Sequence, residues 1–267
     1  MNTTRDYTIN SVKKALDILK LYNNEKHELT LSDISALLRV GKSSTLRLLY
    51  TLQNEGFIEF DEIKKTYSLG IEMSRLGLMK FNSLDVRKIA RPYLQKLSDE
   101  MDLICYVGVR QGDQLAMIDQ ILPSRIPAWA QLTVQSGGIS ELYSTGIGRL
   151  FLSQDKEEEV QEYLDRIQLV KFTDTTITDK KQLMKLVRQA GEQQYSNNAG
   201  ENETHIYSVC APIYDQTAKM VAGISICGLQ DVMCGNRYEL YLKRIRGTAS
   251  SISRDLGAPK GKWKKMI

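Results

Sequence analysis

Between Arg39 and Gly56 the chain reads RVGKSSTLRLLYTLQNEG, the stretch whose side chains have the clearest chemical use. Ser44, Arg47 and Thr51, with Tyr50 at the edge, fall on one face of a helix, and Lys42 and Ser43 stand at its start as further candidate DNA contacts. Leu46, Leu49 and Leu52, with Leu48 beside them, form its other face. Gly41, free to take left-handed angles, is expected to turn the chain into this helix, and Ser43 to cap it. No Asp or Glu occurs from Ile34 to Asn54. Positive charge and hydroxyl donors without acids suit the phosphates and base edges of a DNA major groove.

The other reactive side chains are Cys105, Cys210, Cys227 and Cys234, with His27 and His205. Their spacing lacks the paired Cys-x-x-Cys or His-x-x-x-His of a zinc site. A thiol enzyme needs a Cys beside a His and a third orienting group. His205 with Cys210 is the one such pairing, because His27 falls in the N-terminal region. No metal, cofactor or catalytic residue is expected, and a thiol-dependent enzyme is the distant alternative. A second binding chemistry is better supported. Gly146-Ile147-Gly148 would put backbone N–H groups at a helix N-terminus, which favours a carboxylate or another anion. Ser225 and Cys227 lie two apart on one expected strand, Ser208 and Cys210 on its partner, so each pair faces one way.

These residues need elements to position them. Thr30-x-x-Asp33 reads as a capping box before a short apolar stripe of Ile34, Leu37 and Leu38. Helix, turn, helix is thus expected around Gly41. Phe57–Phe60 and Thr66–Leu69 read as strands joined by a polar turn over 61–65, which completes a winged helix-turn-helix. Lys64 and Lys65 sit where a wing tip would meet phosphates, opposed by Asp61 and Glu62. Upstream, a loose arm over 1–9 precedes a helix with Val12, Ala15, Leu16 and Leu19 inward. Downstream, Ile71–Phe81 is too apolar for a flexible linker and reads as a helix that packs on a second subunit. A further helix follows from Ser83, lined by Val86, Ala90, Leu94 and Leu97 and broken or kinked near Pro92.

From Leu103 the period changes to strands. Runs at 103–109, 115–119, 132–134, 207–214 and 220–227 alternate with helices near 156–167, 179–194 and 237–256. Hairpins with helices between them indicate an antiparallel sheet with helices packed on it, an α+β class. The chain has 267 residues, of which 42% are hydrophobic and 25% charged, enough for two domains with real cores. It has no run long and apolar enough for a membrane span and no secretion signal, so the expectation is a cytoplasmic protein with reduced cysteines. The last 25 residues carry eight Lys/Arg against one Asp, a basic tail around Trp263 expected to be solvated and loose.

With these motifs in hand, the chain from residue 10 to about 257 resembles the isocitrate-lyase-regulator (IclR) family of bacterial transcription factors. The resemblance rests on VGKSSTLRLLYTLQNEGFI with TYSLG, on SLDVRKIARPYLQKL, on LYSTGIGRLFL and on VCAPIYDQTAKMVAGISICG. It implies a winged helix-turn-helix domain over 1–70, a linker helix over 71–83, a GAF-like effector domain over 84–258 and a tail over 259–267. It also implies dimers or tetramers on operator DNA that respond to a small metabolite. Carried over residue by residue, it adds Asn198, Ser208, Ser225 and Cys227 to the Gly146 and Ile147 read from the helix start, and together these form the expected effector set. Asn198 stands where the family has an acid, Ser208 where it has a cysteine, and Arg149 where it has a lysine. The expected effector is a small organic or sugar acid. A repressor of a catabolic operon is the favoured reading, with an activator as the alternative.

Overall fold

A computed structural model describes residues 8–23, 26–82, 85–125 and 138–263. Trp129, the strand expected at 132–134, Lys264, Lys265 and most of the N-terminal arm lie outside the described residues. The chain divides into two compact units, Met1–Ser83 and Leu84–Ile267.

The first unit contains α1 (Asn10–Leu19), β1 (Leu29–Thr30), α2 (Leu31–Leu38), α3 (Lys42–Asn54), β2 (Ile58–Asp61), β3 (Thr66–Leu69) and α4 (Ile71–Asn82). Its strands form a small antiparallel sheet in the order β1-β3-β2. The core joins Ile18, Leu29, Ile34, Leu49, Leu52, Ile58 and Tyr67. Several expected stripes are rotated. α1 turns Ile18 inward while Val12 and Leu16 are exposed, and Leu37 and Leu46 are exposed as well. In α3 the inward place expected for Leu46 is taken by Thr45, which is fully buried. The Thr45 hydroxyl reaches the carbonyls of Gly41 and Val40, at 3.2 and 3.4 Å, so a polar side chain enters the core with its hydrogen bond made.

The second unit is built on a six-stranded antiparallel sheet in the order β6-β5-β4-β9-β8-β7. These strands are β4 (Ile104–Gln111), β5 (Gln114–Ile121), β6 (Ile139–Glu141), β7 (Ser196–Ala199), β8 (Ile206–Tyr214) and β9 (Met220–Leu229). The helices are α5 (Asp85–Met101), α6 (Gly146–Leu152), α7 (Glu157–Arg166), α8 (Lys180–Gln193), α9 (Gln230–Met233), α10 (Tyr238–Asp255) and α11 (Lys260–Trp263). α5 and α10 pack on each other and on the sheet. α6 lies against the face that carries Cys210 and Gly223, with α8 behind it.

Of the kink or break expected near Pro92, the break does not occur, since α5 continues through it. Proline removes the bond to the carbonyl of Lys88, and both Lys88 and Pro92 lie on the exposed face of the helix, where such a loss costs least. The first part of the tail is not loose either. Residues 260–263 form α11, and the Lys262 ammonium lies 4.6 Å from the Tyr214 ring centroid.

Candidate nucleic-acid interface and ligand cavity

α2 is started by the expected capping box. The Asp33 amide donates to the Thr30 hydroxyl at 3.2 Å and the Thr30 amide to the Asp33 carboxylate at 3.0 Å. The Thr30 hydroxyl and amide hold the Asp33 carboxyl below the ordinary carboxylate range. The turn into α3 differs from the sequence expectation. Gly41 has φ −58°, and the left-handed residue is Arg39, at φ 54°. Gly41 takes the cap position without a side-chain bond, so Ser43 is already inside the first helical turn. The turn is locked from both helices, since the Val40 carbonyl accepts from the hydroxyls of Ser35 (2.5 Å) and Thr45 (3.4 Å).

This lock fixes the front of α3. Lys42, Ser43, Ser44, Arg47, Tyr50 and Thr51 are all exposed on it. Ser44, Arg47, Tyr50 and Thr51 line one shallow groove together with Ser11 and Lys14 of α1, which sequence reasoning missed. The Thr51 hydroxyl donates to the Arg47 carbonyl at 3.0 Å, so its proton serves the helix.

The wing turn is equally constrained. Asp61 accepts from the amides of Ile63 (2.8 Å) and Lys64 (3.0 Å), and these bonds hold its carboxyl below the ordinary range. Asp61 therefore caps the turn and keeps its negative charge there. The Lys64 ammonium lies 2.6 Å from the Glu28 carboxylate, whose other oxygen accepts from Thr66 at 3.3 Å. Lys65 extends over the Phe60 ring, 5.8 Å from its centroid. Glu28 was not legible as a partner, because it precedes a two-residue strand too short to carry a pattern.

In the second unit, Gly146, Ile147, Asn198, Ser208, Ser225 and Cys227 all line one small cavity of about 80 Å³. Tyr106, Met117, Asn202 and Glu203 line it too and were not foreseen. Strand register explains the convergence. Ser208 pairs with Cys227, Cys210 with Ser225, and Asn198 with Ser208, so hydroxyls and thiols alternate across β8 and β9. α6 comes close because two positions lack a side chain. A Cβ on Gly146 would lie 2.6 Å from the Cys210 sulfur, and one on Gly148 only 2.1 Å from the Leu142 carbonyl oxygen. The amides of 146–148 are less open than expected, because the Gly148 N–H donates to the Thr145 hydroxyl at 3.0 Å.

Asn198 is held at both ends. Its amide group donates to the Ser144 carbonyl at 2.5 Å, and its oxygen accepts from the Glu201 amide at 3.1 Å. Arg149 lies outside the cavity lining. The residue is 1% exposed, and its guanidinium meets Glu201 at 2.6 and 3.2 Å and donates to the Asn197 carbonyl at 2.9 Å. The thiols are poor nucleophiles. Burial pushes Cys210 up to about 12 and Cys227 well above its ordinary value, so both stay protonated at neutral pH. Among the described residues no cluster of three His, Cys, Asp or Glu could hold a metal ion.

Both halves of the chain match one family. Residues 11–62 match the IclR helix-turn-helix domain, and residues 79–254 match the C-terminal domain described as bacterial transcriptional regulator IclR. The chain belongs to the IclR family. The HTH-type transcriptional regulator XynR of Escherichia coli (strain K12) is 28% identical over 251 residues, covering 94% of this chain and 98% of XynR. The HTH-type transcriptional repressor AllR of the same strain is 27% identical over 247 residues, covering 92% and 90%. The crystal structure of an IclR transcriptional regulator from Alicyclobacillus acidocaldarius superposes with a TM-score of 0.81 at 27% identity, covering 93% of this chain and 99% of that one. The chain is therefore an HTH-type, DNA-binding transcriptional regulator and not an enzyme. Among the described residues no helix is long and apolar enough to cross a membrane.

Proposed function

We propose that this IclR-family regulator represses a catabolic operon and that a small organic or sugar acid, bound in the second unit, changes its grip on operator DNA. The observation that carries this reading is the convergence of Asn198, Ser208, Ser225 and Cys227 with the start of α6 on one cavity. Ser208 and Ser225 supply hydroxyl donors to a ligand oxygen, and the amino end of α6 adds a favourable dipole. The repressor sense is favoured by the likeness to AllR, a repressor that aligns along nearly the whole chain.

Residues 1–70 act as the DNA-binding domain, 71–83 as the linker helix and 84–258 as the effector domain, in a dimer or tetramer. Ile71 and Leu76 of α4 are exposed, which supports pairing of this helix with a second subunit. Two α3 helices of a dimer then enter major grooves about one helical turn, or a multiple of it, apart. Lys42 and Arg47 hold phosphates, and Ser43, Ser44, Arg47, Tyr50 and Thr51 stand nearest the bases. The ligand works by differential affinity for two arrangements of the DNA-binding domains, with a coupling of about 1–3 kcal/mol.

A thermal-shift screen against small organic, sugar and aromatic acids, with Ser225→Ala in parallel, tests the reading. A ligand of the native state must raise the melting temperature by mass action. The expected result is a shift in the natural protein that Ser225→Ala loses, from a compound that also changes DNA affinity. A shift retained in full by Ser225→Ala would move the binding site elsewhere.

A further inference from the structure

The wing presents an unexpected side chain to its surroundings. Ile63 is 94% exposed, the highest value among the exposed large apolar residues described. It is not on a loose loop. The Asp61 carboxylate fixes the Ile63 and Lys64 amides, and Lys65 at φ 57° turns the chain back into β3. Both wing cations fold back along the hairpin, Lys64 onto Glu28 and Lys65 over Phe60. What remains at the tip is the exposed Glu62 carboxylate and, beside it, the stiff β-branched apolar side chain of Ile63. Burial within its own unit does not account for it, and the hairpin that carries it packs against α3.

We propose that the wing engages operator DNA through Ile63, as an apolar wedge against the sugars and base edges of the minor groove, and not through ion pairs from Lys64 and Lys65. The proposal rests on the helix-turn-helix domain being the DNA-binding part of the chain. Apolar wedges in the minor groove act by partial unstacking and favour flexible pyrimidine–purine steps. A lysine on a phosphate acts differently, because it releases counterions and steepens the salt dependence of binding. Lys64 is paired with Glu28 in a surface ion pair, so a contact of its ammonium with a phosphate has to compete with that carboxylate.

The test uses the full chain and the tightest duplex that it enriches by in vitro selection from a random 40-base-pair library. Affinity is measured over a range of salt concentrations for the natural protein, Ile63→Ser, Lys64→Ala and Arg47→Ala. Ile63→Ser should weaken binding on the order of tenfold with no change in the slope of log K against log salt. Lys64→Ala should leave the slope unchanged, whereas loss of a phosphate contact would reduce it by about one. Unchanged affinity in Ile63→Ser, or a slope reduced by about one in Lys64→Ala, overturns the proposal. Dissociation of Ile63→Ser to a smaller oligomer in sedimentation would place Ile63 in a subunit contact and also overturn it. Failure to enrich any duplex speaks against the DNA-binding reading itself, which separates the two.

Discussion

Removing the Glu201 carboxylate should destabilise the second unit more than any surface substitution. Arg149 and Glu201 are almost wholly buried, and the guanidinium makes two bonds to the carboxylate and one to the Asn197 carbonyl. In Glu201→Ala the cation keeps the carbonyl and loses its counter-charge. Stranding one member of a buried pair costs about 3–5 kcal/mol. For a unit of this size each kcal/mol lowers the melting temperature by about 2–4 °C, so the transition should fall by roughly 6–20 °C. Arg149→Met with Glu201→Ala removes both charges, and replacing a whole pair is often neutral. The double variant should recover most of the loss. The assay is thermal and urea unfolding of the two single variants and the double, combined as a cycle. A cost below about 1 kcal/mol for Glu201→Ala, or a double variant equal to the sum of the singles, would refute the argument from burial. Glu201 follows Asn198 and precedes Asn202 and Glu203, all of which line the cavity. The pair therefore holds the cavity wall as well as the fold, and ligand binding should fail in the same variant.

The first unit carries two further expectations. Arg39 occupies a left-handed conformation at φ 54°, so Arg39→Gly should gain about 0.5–1 kcal/mol by relieving the steric penalty, net of glycine's greater unfolded freedom. Arg39→Ala keeps that conformation, and equal melting temperatures for the two variants would contradict the assignment. The Asp33 carboxyl is held below its ordinary value of 3.8, first by the Thr30 hydroxyl and then by the Thr30 amide. Its folded pKa is depressed, so its contribution is present above about 3.8 and is lost as pH falls from there through the folded value. Asp33→Ala should lower the urea midpoint near neutral pH, and the pH-dependent part of that difference should disappear below the folded pKa. A difference that does not vary with pH would mean that the ionised capping box contributes nothing.

Much of this fold is legible because its signals are local. The Thr30 capping box, the hairpin at 58–69 and the helices over 157–166 and 180–193 are each set by residues within a few positions of one another. Which stripe of a helix turns inward is not local. Val12 and Leu16 have the same apolar character as Ile18, and only the position of the neighbouring elements selects Ile18. Thr45 was passed over for Leu46 because the carbonyls that satisfy its hydroxyl belong to a turn whose geometry the sequence hides. β7, with the sequence SNNA, has no strand formers and becomes a strand by pairing with β8 at the sheet edge. That pairing sets Asn198 opposite Ser208, a proximity available beforehand only through family resemblance.

Charge is where sequence and structure part most, and the reason is general. A sequence counts cations, whereas binding depends on those left uncommitted after folding. Arg149 is spent on Glu201, 52 positions away, and Lys64 on Glu28, 36 positions away in the opposite direction. Lys65 lies over Phe60 and Lys262 over Tyr214. Lys42 and Arg47 remain exposed on the front of α3. The salt dependence of DNA binding should therefore follow α3, and the wing should add affinity that salt does not screen. A fold-level likeness cannot distinguish these two contributions. Glu28 and Ile63 separate them, because one pairs with the lysine that the wing was expected to use and the other stands exposed at the tip.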